Sequence, residues 1–382
     1  RIEKKLQSMS SQLTIVQCLT STLVGCGFGF ALSKGKVVVP ENIQAQMSFT
    51  NFAMLKMFLS AVSTSLLVHS LVSVTNKKKF VNIRDDQKRS YLATALGASI
   101  LGVGMYTAGS CPGSVFPQLG NGLFEFSSAL LGGGIIGALT YSALHPRIEA
   151  LLERGVGAKQ KPANQRIDSS LGVPFWKIAV PMALAAAGIV WTVENYIRPW
   201  HVDVGLDQPP FTLSSILSGQ TSLSDIFSAK AWNPALAGVL VGLLQLPYIF
   251  FADHTLGAST SYVTCSSHAC SLLSGGKITN DYMQSKMKPS NWIQVIMLGS
   301  AVLGGMAAVK LSGDFPSTTT VSTTASFFGG LALVFGARLA NACTSGHGIS
   351  GVGALSKHSL VAVPAMFAGG ILSAFAVKFW SN

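Results

Sequence analysis

Charged residues are scarce in this chain, and their scarcity excludes an ordinary water-soluble protein. Of its 382 residues only 11% are charged, whereas soluble domains carry about a quarter. Hydrophobic residues make up 49%, and apolar segments run through the whole chain. Too few polar side chains are therefore present to cover a surface that faces water, and much of the surface must face lipid.

Sequence signatures of common enzymes and of nucleic-acid-binding proteins are also missing. The chain has no nucleophile elbow, phosphate-binding loop or HExxH zinc motif. Its net charge of +12 comes from 27 Lys and Arg against 15 Asp and Glu, but the basic residues lie in short loops between apolar segments. That distribution is typical of the loops of membrane proteins and not of a phosphate-binding groove. We therefore predict a membrane protein that is not an enzyme, needs no cofactor and does not bind nucleic acid.

Long apolar segments are what the sequence has instead. About 20 apolar residues cross the hydrocarbon core of a bilayer, and the segments of that length are 13–33, 51–75, 91–109, 123–145, 176–196, 234–251, 291–310, 318–340 and 359–380. Shorter apolar pieces rich in Gly, Ser, Thr or Pro lie between them, at 37–48, 112–120, 256–275 and 344–356. Such short runs predict re-entrant segments, which fold back inside the bilayer. The predicted fold is an all-α polytopic membrane protein with about nine transmembrane helices and short re-entrant helices.

The order of these segments predicts an internal duplication. Residues 1–145 contain spans one to four, residues 234–382 contain spans six to nine, and residues 146–233 link the two units through span five. Each unit has a re-entrant piece after its first span and a cysteine-containing break before its last span, at Cys111 and Cys343. Because a single span separates the units, the second enters the membrane from the opposite side. We therefore predict two inverted repeats, an arrangement typical of transporters.

Lys and Arg residues predict the orientation of the chain. With the N-terminus in the cytoplasm, about three times as many of them fall in inside loops as in outside loops. The prediction is a multi-pass protein integral to the inner or plasma membrane, with a cytoplasmic N-terminus and an external C-terminus. This orientation puts Cys111 toward the outer mouth and Cys343 toward the inner mouth.

The two breaks combine a cysteine with residues that favour a helix N-terminus, namely Pro112, Gly113 and Ser114 after Cys111, and Thr344, Ser345 and Gly346 after Cys343. Unpaired N–H groups at such an N-terminus bind anions. A thiol adds a weak hydrogen-bond donor and a soft sulfur atom. These residues are the candidate binding site for an anion that contains sulfur, and we expect both thiols to stay neutral, since a thiolate would repel a dianion. The alternative is that both cysteines are small apolar residues at tight turns.

Other residues near the breaks are further candidates. Arg338 lies at membrane depth just before the second break, where an arginine usually has a partner or a role in a pathway. His347 is either a proton acceptor or a polar group satisfied by the broken backbone. Cys26 lies in a Gly-rich stretch of span one, where close helix packing explains the glycines equally well. No metal site is predicted, because a fourth ligand is missing near Cys265, His268 and Cys270.

The second break carries a resemblance to a known family. From Phe335 to Gly351 the chain reads FGARLANACTSGHGISG, which closely resembles the YeeE/YedE family of sulfur-transport membrane proteins. Similar stretches occur at 109–113, at 118–120 and between 29 and 49. The resemblance extends over nearly the whole chain except the loops at about 146–175 and 197–232.

This resemblance implies a thiosulfate uptake protein with inverted repeats, broken helices and a central line of cysteines that pass the ion through S–H hydrogen bonds. Cys111 and Cys343 match two of the family's relay cysteines by motif. The third is usually near the end of the first helix or in the loop after it. Here that loop reads Lys34-Gly35-Lys36-Val37, so Cys26 is taken as the third, and the two lysines are expected to attract anions. The family often pairs with a small sulfur-carrier protein on the cytoplasmic side, which is the predicted protein partner.

The residues leave two other functions open. A membrane thiol-disulfide oxidoreductase would need two cysteines within disulfide reach. A transporter of this kind could instead carry another small anion, such as sulfite. The leading hypothesis is a permease that takes up thiosulfate, with Cys111 receiving the ion and Cys343 releasing it.

Overall fold

The computed structural model describes residues 13–84, 90–155, 166–211, 215, 218–278, 280–315 and 318–381. Within these ranges the regular structure is helical and contains no β-strand, apart from an isolated antiparallel bridge between Arg166 and Ser356. Some basic residues behind the orientation prediction lie outside the described residues, namely Arg1, Lys4, Lys5, Lys88, Arg89, Lys159 and Lys161.

The first half of the chain alternates long and short helices. They are α1 (Ile15–Lys34), α2 (Pro40–Met47), α3 (Ala53–Thr75), α4 (Lys77–Asn82), α5 (Tyr91–Ala108), α6 (Val115–Gly120) and α7 (Phe124–Gly155). The central part contains α8 (Ile167–Leu171), α9 (Phe175–Thr192), a π-helical turn that continues α9 (Val193–Ile197), α10 (Trp200–Asp203) and α11 (Leu223–Ser228).

The second half has the same alternation. It contains α12 (Pro234–Leu243), α13 (Gln245–Ala252), α14 (Ser259–Leu273), α15 (Asp281–Lys286), a 3-10 turn (Pro289–Asn291), α16 (Trp292–Ser312), α17 (Thr323–Ala340), a π-helical segment (Thr344–Gly351) and α18 (Lys357–Ser381).

Nine helical segments of the described chain are long and apolar enough to cross a membrane, as predicted. They are α1, α3, α5, α7, α9 with its π-helical turn, α12 with α13, α16 with the 3-10 turn, α17 and α18. The all-α polytopic membrane fold is therefore confirmed. The eighth span begins at Thr323 and not at 318, because the Ser322 side chain accepts the Ala325 N–H and caps α17 there.

Short helices occupy the four breaks that were predicted to be re-entrant. The breaks 37–48, 112–120, 256–275 and 344–356 contain α2, α6, α14 and the π-helical segment, respectively. Pro40 starts α2 at a position where a missing N–H is tolerated. That each piece folds back inside the bilayer stays a prediction.

Helices from the two halves pack against each other and share one core. The first span, α1, lies along α16, the second span, α3, lies along α12, and α5 lies along α17. Glycines bring these backbones into close contact. A Cβ atom on Gly25 would lie 2.0 Å from the Met297 carbonyl oxygen, and one on Gly238 would lie 2.2 Å from the Met57 carbonyl oxygen. This packing brings the two cysteine breaks into the same interior.

Candidate functional site

The first break begins where α5 ends at a left-handed glycine. Gly109 has a φ of 57°, and its N–H bonds the last turn of the helix. A Cβ atom at this position would lie 2.7 Å from Pro40 Cβ and 2.8 Å from the Pro40 carbonyl oxygen. Both the positive φ and the contact with α2 require glycine. The chain therefore leaves α5 abruptly and enters the Cys111 turn directly beside α2.

Cys111 is fixed by two reciprocal hydrogen bonds with Ser114. The Cys111 N–H donates to Ser114 Oγ at 2.8 Å, and the Ser114 N–H donates to Cys111 Sγ at 3.3 Å. The Ser114 hydroxyl therefore does not cap α6, which begins at Val115. The prediction that a helix opens at Pro112-Gly113 is wrong by two to three residues, because Ser114 closes a turn on the cysteine first.

Gln118 connects the first break to the segment before α2. Its side-chain oxygen accepts a hydrogen bond from Ser110 Oγ at 2.6 Å. Its amide nitrogen donates to the Val38 and Gly109 carbonyl oxygens at 2.9 and 3.1 Å. Gln118 is fully buried, so these bonds satisfy backbone carbonyls that the interrupted helix leaves free. Gln118 lies in one of the stretches of family resemblance, but its residue type alone does not mark it as part of the site.

The second break places Cys343 in the interior of the protein. The cysteine is 1% exposed and has extended backbone, with a φ of −122°. Its Sγ accepts a hydrogen bond from the Ala258 N–H at 3.3 Å and lies 3.3 Å from Ser345 Oγ. A helical segment begins at Thr344, as the residues of the break predict, but neither Thr344 nor Ser345 caps it with its side chain. The Ser345 hydroxyl contacts the thiol instead.

Both breaks contact the first turns of α14. The Ala258 N–H reaches Cys343, and the Tyr262 hydroxyl donates to the Pro112 carbonyl oxygen at 3.0 Å. A Cβ atom on Gly113 would lie 3.5 Å from Ala258 Cβ. The predicted orientation directs the two cysteines toward opposite mouths, and the turns that carry them both contact this one segment. No sequence motif marks this contact, because it is made by a backbone N–H and an aromatic hydroxyl.

Arg338 supplies a buried positive charge at the same place. The residue is 1% exposed, and its guanidinium donates to Tyr282 Oη at 2.9 Å and to the hydroxyls of Ser259 and Thr260 at 3.0 and 3.2 Å. A weaker bond reaches Asn341 Oδ1 at 3.4 Å. All these partners are neutral, and no described carboxylate pairs with it. The uncompensated charge lies at the N-terminus of α14, where the helix dipole adds to the positive potential.

His347 has a partner on each ring nitrogen. Nε2 lies 3.0 Å from the Ala340 carbonyl oxygen, and Nδ1 lies 3.0 Å from Ser359 Oγ. A carbonyl can only accept, so Nε2 carries the proton and Nδ1 accepts from the serine hydroxyl. Of the two roles left open by the sequence, this geometry favours a histidine that satisfies the broken backbone.

Cys26 lies on the other side of α1 from the breaks. Phe28 contacts the first break, since a Cβ atom on Gly113 would lie 3.4 Å from its ring. Cys26 is two residues earlier, about 200° around the helix. It lines an apolar groove of about 780 Å³ together with Phe30, Trp232 and Leu303. The structure therefore brings the turns of Cys111 and Cys343 together and does not bring Cys26 to them.

The remaining cysteines form neither a disulfide nor a metal cluster. All six cysteines of the chain are free. His268 accepts a hydrogen bond from Trp292 Nε1 at 3.1 Å. Among the described residues no group of three His, Cys, Asp or Glu side chains is arranged to hold a metal ion.

Comparison with known proteins gives matches over most of the chain. The thiosulfate transporter TsuA of Escherichia coli strain K12 is 22% identical over 337 residues, which cover 87% of this chain and 86% of that protein. The thiosulfate transporter TsuA of Spirochaeta thermophila is 21% identical over 361 residues, which cover 90% of this chain and 94% of that protein. A probable transporter of Xylella fastidiosa strain 9a5c is 28% identical over 147 residues, 38% of this chain and 94% of that protein.

The family comparison covers both cysteine breaks and the helices that surround them. The sequence model of the family described as sulphur transport matches residues 34–372. This range contains seven of the nine membrane-spanning segments in full, most of the ninth, and all the residues that meet at the start of α14. The chain therefore belongs to the sulphur transport family of membrane proteins.

Proposed function

We propose that this protein carries thiosulfate across the membrane between the Cys111 and Cys343 breaks. The observation that carries the proposal is the meeting of both breaks at the start of α14, beside the guanidinium of Arg338. A small divalent anion would find positive potential and hydrogen-bond donors there. Two relatives that align with most of this chain are named thiosulfate transporters, which supports thiosulfate as the substrate.

In this proposal the thiols act as neutral hydrogen-bond donors. Backbone N–H groups already donate to the Sγ atoms of Cys111 and Cys343, which leaves each S–H hydrogen available to an anion. At Cys343 an anion would replace Ser345 Oγ as the neighbour of the thiol. The ion moves from one thiol to the other by exchanging hydrogen bonds, and no bond to sulfur forms or breaks. Cys26 has no part in this path, because it lines the apolar groove.

We further propose that the two halves are inverted repeats. In two such repeats, the first span corresponds to the sixth, the second to the seventh, the third to the eighth and the fourth to the ninth. If corresponding spans are exchanged, the contact between α1 and α16 becomes the contact between α12 and α3, and both contacts are present. The same exchange converts the α17–α7 contact into the α5–α18 contact and the α5–α17 contact into itself. The Xylella relative, nearly all of which corresponds to 38% of this chain, is comparable in length to one unit. These observations support a two-fold pseudosymmetry with the site at its centre.

The direction of transport in this proposal follows from the distribution of Lys and Arg. A cytoplasmic N-terminus puts the first break nearer the outside, so thiosulfate moves inward from Cys111 to Cys343. A cytoplasmic sulfur-carrier protein would then receive the ion. Attaching a reporter that folds only in the cytoplasm to the C-terminus tests the orientation, since an active reporter would contradict an external C-terminus.

Uptake of radiolabelled thiosulfate into proteoliposomes tests the proposed function. We expect Cys343→Ala to lower uptake by roughly tenfold, about 1.4 kcal/mol in the transport barrier. Cys18→Ala is the matched control, because Cys18 is a half-buried cysteine of α1 that lies ten residues before Phe28, the residue of this helix that contacts the first break. Full uptake by Cys343→Ala at equal protein content would contradict the proposal. Competition with unlabelled thiosulfate, sulfite and sulfate identifies the preferred anion.

The same preparation separates transport from thiol redox chemistry. Trapping of thiols followed by mass spectrometry would reveal a reversible disulfide pair if the protein were an oxidoreductase. We expect the six cysteines to stay free during turnover, as they are in the structure. A disulfide between Cys111 and Cys343 that forms and disappears with substrate would favour the oxidoreductase instead.

A further inference from the structure

The loop after the π-helical segment is covered by residues that follow the fourth span. The Ile167 N–H donates to the Leu355 carbonyl oxygen at 3.2 Å, beside the bridge between Arg166 and Ser356. Leu355 is fully buried and has a φ of 56°, so this loop is tightly held. This loop follows directly after the break that contains Cys343. The helix α8 therefore covers the interior of the protein on the side to which that break leads.

A buried ion pair between Arg84 and Asp168 holds α8 against this loop. The Arg84 Nη1 donates to Asp168 Oδ2 at 2.9 Å, and Nη2 donates to Oδ1 at 2.5 Å, so the guanidinium holds the carboxylate with two parallel bonds. The side chains of Arg84 and Asp168 are 9% and 10% exposed. The guanidinium carbon lies 4.5 Å from the centre of the Phe80 ring and 5.2 Å from that of Phe175, so two aromatic rings hold it in place.

More donors converge here than the Asp168 carboxylate uses. Arg84 Nη2 and Arg166 Nη1 both point to the Ala354 carbonyl oxygen, at 3.2 and 3.4 Å. The Nε–H of Arg84 is buried and has no acceptor among the described residues. A buried donor without an acceptor is rare in folded proteins, and the Nε–H of Arg84 points to a ligand.

We propose that Arg84 forms a second oxyanion site, which the Asp168 carboxylate occupies in this structure in place of a transported ion. A planar guanidinium binds a carboxylate and a tetrahedral oxyanion with the same pair of parallel bonds. The ligand class is therefore a divalent sulfur oxyanion that leaves the break containing Cys343. When the ion binds, it displaces Asp168 and releases α8 from the 353–356 loop. This inference rests on the proposed function, because it takes the same ion as its ligand.

The alternative is that the ion pair between Arg84 and Asp168 only holds the loop together. Substitutions of these two residues have different expected effects on ion binding in the two cases. If Asp168 competes with the ion, Asp168→Asn frees Arg84 and strengthens binding, whereas Arg84→Lys loses the two parallel bonds and weakens it. If the pair is only structural, both substitutions break the same contact and change the protein in the same direction. Asp281→Asn and Arg147→Lys are the charge-matched controls, since both residues are exposed and lie on other segments.

Equilibrium dialysis of the purified protein with radiolabelled thiosulfate measures this directly. For Asp168→Asn we expect roughly tenfold tighter binding at one site, the size of effect of one charged hydrogen bond. The tighter binding should persist in the double variant that combines Asp168→Asn with Cys343→Ala. It should be absent from the double variant that combines Asp168→Asn with Arg84→Lys. Unchanged binding by Asp168→Asn, or a loss of binding by both single variants, would overturn the second site. If the wild-type protein neither binds nor transports thiosulfate, the proposed function itself fails.

Discussion

Gly97 of α5 and Gly336 of α17 face each other where these two helices cross at the centre of the protein. A Cβ atom on Gly97 would lie 2.8 Å from the Gly336 carbonyl oxygen, and one on Gly336 would lie 2.6 Å from the Gly97 carbonyl oxygen. The same atoms would approach the backbone nitrogens of Ala340 and Leu101 at 2.3 and 2.4 Å. The two helices that lead into the cysteine breaks are therefore in direct backbone contact, which fixes the breaks relative to each other.

Alanine at either glycine should separate α5 from α17. We expect Gly97→Ala or Gly336→Ala to lower the free energy of unfolding by about 1–3 kcal/mol, because backbone atoms cannot move aside as a flexible side chain can. Thermal unfolding in detergent, followed by tryptophan fluorescence, measures the effect. Gly299→Ala is the control, since its Cβ atom would have no neighbour within 4 Å. Equal melting temperatures for the control and the two variants would show that the contact is looser than the structure indicates.

The substitution Gly113→Ala distinguishes an effect on the passage of the ion from an effect on folding. Its Cβ atom would only touch Phe28 and Ala258, at 3.4 and 3.5 Å, so Gly113→Ala should leave the melting temperature within about 1 °C. If the ion passes between the Cys111 turn and Ala258, the added methyl group should lower thiosulfate uptake roughly tenfold, about 1.4 kcal/mol in the barrier. Gly109→Ala, in contrast, should lower the melting temperature, because Gly109 needs a positive φ. Normal uptake by Gly113→Ala would exclude a passage at this position.

Segment length and hydropathy were sufficient to predict the nine spans and the positions of the four breaks. A span requires about 20 apolar residues whatever its neighbours are, so it can be identified from the sequence alone. The cysteine turns were likewise evident from Gly and Pro at 109–113 and from the run after Cys343. The short helices α2, α6 and α14 begin within a few residues of the predicted breaks.

Contacts between distant segments could not be predicted in this way. The sequence predicts that Lys34 attracts anions from an outer loop, but this residue is 1% exposed and donates to the Phe227 and Ala229 carbonyl oxygens at 2.6 and 2.7 Å. Those carbonyls lie almost 200 residues away in the chain. The Ala258 N–H that reaches Cys343 belongs to a residue without a functional side chain. Backbone donors and acceptors occur at nearly every residue, so the sequence does not distinguish the few that form the site.

Glu41 predicts a pH dependence of stability at the N-terminal end of α17. Burial raises the pKa of this carboxyl, but the Thr320 N–H at 2.7 Å and the Thr319 hydroxyl at 2.8 Å outweigh it, so the pKa lies below the ordinary 4.5. A lowered pKa means that the folded protein favours the carboxylate. The stabilisation is therefore complete above the ordinary pKa and is lost as the pH falls through the lowered pKa.

The substitution Glu41→Gln isolates this contribution. The melting temperature of the wild-type protein should exceed that of Glu41→Gln at neutral pH, and the difference should shrink as the pH is lowered below about 4.5. Glu125→Gln, at the exposed start of α7, controls for the loss of a carboxylate elsewhere. A difference that is constant down to the acid limit of the protein would show that the ionised form of Glu41 makes no special contribution.

Arg338 provides the most direct test of how the interior accommodates an anion. Its partners are all neutral, so Arg338→Gln keeps hydrogen-bonding capacity toward Tyr282 and Ser259 while it removes the charge. We expect at least roughly tenfold weaker thiosulfate uptake, since a hydrogen bond to a charged group contributes about 1.5–3 kcal/mol. Arg338→Lys should recover part of the activity, because it restores the charge without the planar guanidinium. Lys310→Gln, at an exposed position, is the control for loss of a surface charge, and its effect alone should depend on salt concentration. If Arg338→Gln lowers uptake no more than Lys310→Gln does, the charge of Arg338 has only a structural role and the ion must pass elsewhere.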